Sequence, residues 1–137
     1  MIHSTVAADP TATVHVLHGD DVSPRARSRA TSMVGDLGGE IAWHRVEHGR
    51  LGDLPDGHPA PASAWYRLLL PEILDSFERV VYIDGDAIVC EPLGALWDLE
   101  LGDASIGAVT NVLQDDVHER HLLDIGIRDP HRYFNSC

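Results

Sequence analysis

One stretch limits the folds open to this chain more than any other. It is Arg79-Val80-Val81-Tyr82-Ile83-Asp84-Gly85-Asp86-Ala87-Ile88-Val89, an apolar run interrupted by two carboxylates with a glycine between them. Val80, Val81, Ile83, Ile88 and Val89 are β-branched, which predicts a buried strand. An unpaired carboxylate buried inside such a strand costs several kcal/mol of desolvation. The two acids therefore belong at the end of the strand or beside a partner.

The segments around this run alternate between helix and strand. Met1 to Ala8 reads as a short helix closed by Asp9-Pro10, and Val14 to Leu17 as a strand followed by the polar turn His18-Gly19-Asp20-Asp21. Ser23 as N-cap and Pro24 as the first helical residue open a helix to about Leu37, ended by Gly38-Gly39. Glu40 to Val46 alternates as a second strand, and His48 to Pro61, rich in Gly, Pro, Asp and His, reads as a loop. Ser63 caps a predicted helix from Ala64 to Leu74 with Trp65, Leu68, Leu69 and Ile73 on its apolar face. Beyond the central run come a turn at Glu91 to Gly94, a short helical turn at Leu96 to Leu99, a buried strand at Ser105 to Val109 and a charged amphipathic helix from Asp115 to Ile125. Another strand begins at Tyr133.

This alternation predicts an α/β fold with a largely parallel sheet flanked by helices. With 137 residues the chain has enough length for one domain with its own core. The opening helix and the closing strand both look cut, so the expected domain, residues 1–137, is partial at both ends.

Charge narrows the function. The chain has 22 acidic and 10 basic residues, a net charge of −12, and every basic residue is arginine. Such a surface repels polyanions and excludes broad nucleic-acid binding. No apolar window has the length of a membrane span, and the N-terminus has neither a basic start nor an apolar signal core, so a cytoplasmic location is expected. Cys90 and Cys137 form no metal-binding spacing and no disulfide framework, and free thiols are expected.

Asp84 and Asp86 stand two apart, so in an extended chain both point the same way, and the small Gly85 lets another group approach the backbone. Two hard oxygen ligands at a strand end suit Mg²⁺ or Mn²⁺, which can in turn hold a diphosphate. In open α/β sheets, ligands bind outside the carboxyl ends of strands. A haloacid dehalogenase-type phosphatase is a second enzyme reading, with the first acid as nucleophile and the second as general acid. Those motifs stand near a chain start and are followed by Thr or Val where this chain has Ile88. Surface aspartates capping a turn are the plain structural reading.

Four motifs in order carry a more specific resemblance: Ser63-Ala64-Trp65-Tyr66-Arg67-Leu68-Leu69-Leu70-Pro71-Glu72-Ile73-Leu74, the central run, Leu93-Gly94-Ala95-Leu96-Trp97, and Tyr133-Phe134-Asn135-Ser136. Together they resemble glycosyltransferase family 8, over nearly the whole chain. The resemblance implies a GT-A, Rossmann-like fold and retaining, metal-dependent transfer of a hexose from a UDP-sugar. It assigns Asp84 and Asp86 to the divalent ion and to the donor's diphosphate and ribose, with Gly85 between them. Arg67 matches the family arginine that reaches the donor, and a guanidinium fork suits a phosphate or a carboxylate. Asn135 matches an asparagine beside the donor sugar, where an amide offers both donor and acceptor to hydroxyls.

Two positions depart from the family pattern. Asn111 stands where an aspartate is usual near the donor sugar, and Cys137 where a glycine follows the F-N-S segment. The family's base-contacting first strand is expected to precede Met1, and its metal-binding histidine to follow Cys137. His15, His18, His44, His48, His118 and His121 fall in pairs, but they read as surface or loop residues, and none stands where that ligand belongs.

The expected role is thus the central part of a UDP-sugar-dependent hexosyltransferase using Mn²⁺ or Mg²⁺, inactive as this piece alone. Its acceptor, a glycan, a lipid-linked group or a protein, is not legible, and no catalytic nucleophile is assigned. The alternative from another class is a non-catalytic or vestigial module that binds nucleotide-sugar and metal.

Overall fold

The computed structural model describes residues 1–47, 49–52, 62–110, 116–124 and 126–129. Among them, β1 (Thr13–His18) and β2 (Glu40–Arg45) form a parallel pair, in register from Thr13 opposite Glu40 to His18 opposite Arg45. Parallel strands need a crossover rather than a tight turn, and here it is α2 (Pro24–Asp36). At its start the Ser23 hydroxyl accepts from Ala26 N at 3.2 Å, and Pro24 occupies the first turn, where its missing N–H leaves nothing unpaired. At its end Gly38 takes a φ of +79°, and the N–H groups of Gly38 and Gly39 each donate at 3.0 Å, to Gly35 O and Val34 O. This is a Schellman cap, and the left-handed residue in it favours glycine.

The first core forms where α1 (Ile2–Ala8), β1 and α2 meet. Val6, Val14 and Val34 are buried there, with Ile2, Val16, Met33, Leu37 and Ile41 packed around them. Gly39 is small because α1 is close: a Cβ at this position would lie 2.5 Å from Val6 Cγ1. Trp43 Nε1 donates to Thr31 Oγ1 at 3.0 Å, tying β2 to α2.

The histidines of the sheet are not the surface or loop residues expected of them. His18 is buried, with Nδ1 2.7 Å from Gly19 O and its ring edge-on to Trp43. His15 Nδ1 and His44 Nε2 lie 2.9 Å apart with the rings stacked, and Phe77 meets His15 edge-on. One hydrogen bond between two ring nitrogens needs one N–H and one bare lone pair, so at least one ring is neutral. Burial, and secondarily the neighbouring His44, hold His15 below its usual pKa of 6.5. His48 lies outside the described residues, as does the His118 side chain, while His121 is exposed.

Two expected elements differ. The helix from Ala64 to Leu74 is a 3-10 helix, Ala62–Leu69, followed by α3 (Leu70–Ile73). The change falls next to Pro71, which has no N–H to donate and whose ring crowds the preceding turn. The second correction is larger. The run from Val80 to Val89 belongs to no β-ladder among the described residues and is not a buried strand; Tyr82 is 48% and Ile88 77% exposed. A strand needs a neighbour, and no described strand lies beside this run.

Side chains of α1 and of its C-cap hold this segment instead. Ser4 Oγ donates to Met1 O and accepts from Val89 N at 3.1 Å, while Asp9 Oδ2 accepts from Leu93 N at 3.3 Å. The Asp9 carboxyl is held below its usual range chiefly by the Thr11 hydroxyl, which donates to it at 2.6 Å. Next comes α4 (Gly94–Trp97), and the Arg79 guanidinium donates to Trp97 O.

The chain divides into two compact units, Met1–Asp98 and Leu99–Cys137. In the second, Ser105 to Val109 forms no strand, and Ile106 is 80% exposed rather than buried. The last helix, α5 (Asp116–Asp124), closes as α2 does: Gly126 has a φ of +90°, and Gly126 N and Ile127 N donate to Leu123 O and Leu122 O. Among the described residues, no helix is long and apolar enough to cross a membrane.

Gly39→Ala forces Val6 out of place and is expected to destabilise the protein by about 1–3 kcal/mol, the cost of overpacking a closed core, read as a lower urea midpoint. Ser4→Ala leaves Val89 N without its acceptor and should cost about 0.5–1.5 kcal/mol in the same measurement. His15 loses its proton more readily folded than unfolded, so the unfolded chain binds more protons between the folded pKa and 6.5. Its share of stability is therefore complete above pH 6.5 and is lost as pH falls from there through the folded pKa. Unfolding curves across that window should flatten in His15→Asn.

Candidate functional site

Three side chains from two segments of the first unit converge. Arg67 stands near the end of the 3-10 helix, and its Nε donates to Ala64 O at 2.7 Å, which anchors the arm against its own turn. Its Nη2 then lies 3.9 Å from Asp84 Oδ1, and its Cζ 5.2 Å from the centroid of the Tyr82 ring. Tyr82 donates its hydroxyl to the same Asp84 Oδ1 at 2.5 Å. The Arg67 and Asp84 side chains are only 23% and 20% exposed.

These distances rank the contacts. The guanidinium and the carboxylate attract each other, but 3.9 Å is too long for a hydrogen bond, so this is no bidentate fork. The tyrosine bond is of the short, charge-assisted kind, because its acceptor is an ionised oxygen. The guanidinium over the ring face adds a cation–π attraction.

Asp86 is exposed within a tight turn in which Ala87 N donates to Asp84 O at 3.2 Å. The two acids are therefore the first and third residues of one turn. Gly85 between them has no positive φ, and a Cβ there would meet no atom within 4 Å. Nothing described in this chain requires glycine at that point, and the space beside it is open. Asn111 and Asn135 lie outside the described residues.

The described residues contain no group of three or more His, Cys, Asp or Glu able to hold a metal ion. A closed structural site of four protein ligands is therefore not what they build. Asp84 and Asp86 are a donor set of two carboxylates. That chemistry fits Mg²⁺ or Mn²⁺ taking the rest of its shell from phosphate oxygens and water.

Of these residues, Arg67, Asp84 and Asp86 are prominent from sequence, and the structure brings the first two together. Tyr82 is the member that sequence reasoning missed. Its signal was the same spacing of two that relates Asp84 to Asp86, since Tyr82 stands two residues before Asp84.

Comparison with known proteins gives this arrangement a family. General stress protein A of Bacillus subtilis (strain 168) is 29% identical over 125 residues, which is 90% of this chain and 42% of that protein. Probable galacturonosyltransferase 13 of Arabidopsis thaliana is 35% identical over 51 residues, 37% of this chain and 10% of the relative. Probable galacturonosyltransferase 14 of the same plant is 36% identical over 50 residues, 36% and 9% respectively. The chain thus spans less than half the length of these curated relatives. No solved structure matches significantly. The model of the family described as "Glycosyl transferase family 8" matches residues 1–136, and the chain belongs to that family.

Proposed function

We propose that this chain holds the diphosphate and metal side of the donor site in a retaining hexosyltransferase that uses a UDP-sugar. Family membership makes glycosyl transfer from a nucleotide-sugar the general activity; the uridine, the hexose, the retention and the divalent ion are the finer terms of the proposal. The same membership removes the phosphatase alternative. The observation that carries the reading is the convergence of Arg67 and Tyr82 on Asp84 beside the exposed Asp86.

A sugar diphosphate brings negative charge that grows on the leaving group as the anomeric bond breaks. Asp84 and Asp86 are the residues to hold a Mn²⁺ or Mg²⁺ ion, which when bound supplies Lewis-acid neutralisation of that charge. Arg67 is anchored through Nε at Ala64 O and has Nη2 near Asp84, where its guanidinium could also meet an incoming phosphate. Open space beside Gly85 admits a ligand close to the backbone. Asn135 and Asn111 are assigned to the sugar hydroxyls, by their amide chemistry and their place in the family pattern. The acceptor hydroxyl is oriented on the face the leaving group departs from, and no covalent nucleophile is assigned. The location read from the sequence, the cytoplasm, belongs to the same proposal.

The test is UDP-sugar hydrolysis or transfer by the full-length protein with Mn²⁺. Asp84→Asn and Asp86→Asn should each lower kcat/KM by roughly 10²–10³, the scale of losing one preorganised charge at the leaving group. Undiminished activity in both variants refutes the assignment. Calorimetry with UDP and Mn²⁺ addresses the non-catalytic alternative: tight binding without turnover by the intact protein would establish a binding module.

A further inference from the structure

We propose that Tyr82 is a positioning residue for the Asp84 carboxylate, fixing its plane through Oδ1 so that Oδ2 is presented to a divalent cation. The proposal rests on the donor-site reading above and adds to it a residue and a division of labour between the two oxygens of one carboxylate.

Three observations carry it. First, the Tyr82 hydroxyl and the Arg67 guanidinium both approach Oδ1, at 2.5 and 3.9 Å. A carboxylate offers two oxygens with about four acceptor positions. Crowding two positive or donor groups onto one oxygen divides these positions unequally and directs further ligation to the other oxygen. Second, the terminal torsion of an aspartate is broad, so its carboxyl group has little intrinsic preference for one plane. A short bond to Oδ1 removes that freedom before any ligand arrives, as outer hydrogen bonds do around metal-ligating groups.

Third, Tyr82 is half exposed, and the Arg67 guanidinium lies over its ring. A tyrosine kept for packing alone would be buried, with its hydroxyl led to solvent or to a backbone partner. Here the ring stands at the surface of the unit and the hydroxyl points inward to a carboxylate that is four-fifths covered. Arg67 thereby acts twice, on the oxygen directly and on the ring that delivers the hydroxyl.

Tyr82→Phe isolates the claim, because it keeps the ring under Arg67 and removes only the hydroxyl. Mn²⁺ binding to the full-length protein, with and without UDP, is followed by the electron paramagnetic resonance signal of the free ion, and thermal unfolding is recorded beside it. The expected result is a melting temperature close to that of the unmodified protein with Mn²⁺ affinity weakened about 10- to 100-fold, the usual consequence of losing a group that orients a metal ligand. In turnover assays the Mn²⁺ concentration for half-activation should rise by a similar factor, while kcat at saturating Mn²⁺ stays within roughly threefold. Loss confined to unfolding temperature, with Mn²⁺ affinity unchanged, would make Tyr82 structural and overturn the proposal while leaving the donor-site reading intact. Failure of the unmodified protein to bind Mn²⁺ even with UDP present would overturn both.

Discussion

Parallel pairing of β1 with β2 is the constraint from which the rest of the first unit follows. Two parallel strands cannot close on a tight turn, so a crossover of a dozen or so residues is obligatory, and α2 supplies it. Returning the chain from α2 into β2 within a few residues requires the left-handed Gly38 and the close approach at Gly39. That approach brings α1 against α2 through Val6, and α1 then carries Ser4 and Asp9 to the backbone beyond Asp86. The acidic turn is thus positioned by a relay of local decisions that begins with strand direction.

Within the site, one oxygen atom organises the geometry. Asp84 Oδ1 receives a short tyrosine bond and lies near a guanidinium that also covers the tyrosine ring. The arrangement closes a small triangle of aromatic, cation and anion in which each member is oriented by the other two. Asp86, two residues on in the same turn, is exposed, with no comparable frame among the described residues. Two carboxylates of the same type and nearly the same position in sequence therefore differ in freedom, the first preorganised and the second adaptable.

What was legible in the sequence was what local chemistry decides. Ser23-Pro24 and Gly38-Gly39 bounded α2, Asp9-Pro10 ended α1, a short apolar run before a polar turn located β1 and alternation located β2, because caps, turns and period-two patterns act over a few residues. Pro71 was a signal left unused, and the structure divides the predicted helix beside it. The run around Asp84 has every propensity of a strand, yet propensity cannot provide the neighbour that a ladder needs. Ser4 and Asp9 were invisible as holders of Val89 and Leu93, since hydrogen bonds across more than eighty residues leave no pattern in the sequence. Membership of family 8 and the acids at its centre were read from motif order, whereas Tyr82 required the fold to show where its hydroxyl goes.

The bonds from Ser4 to Val89 and from Asp9 to Leu93 span 85 and 84 positions. Loop closure grows only with the logarithm of length, about 0.6 kcal/mol for each doubling, so such distant ties are thermodynamically cheap once both ends exist. Kinetically they are the opposite, because contacts of high sequence separation reward the chain only after the intervening loop has been ordered. The ties from α1 to the segment bearing the acids are therefore among the contacts of the first unit that cost most in chain ordering before they form.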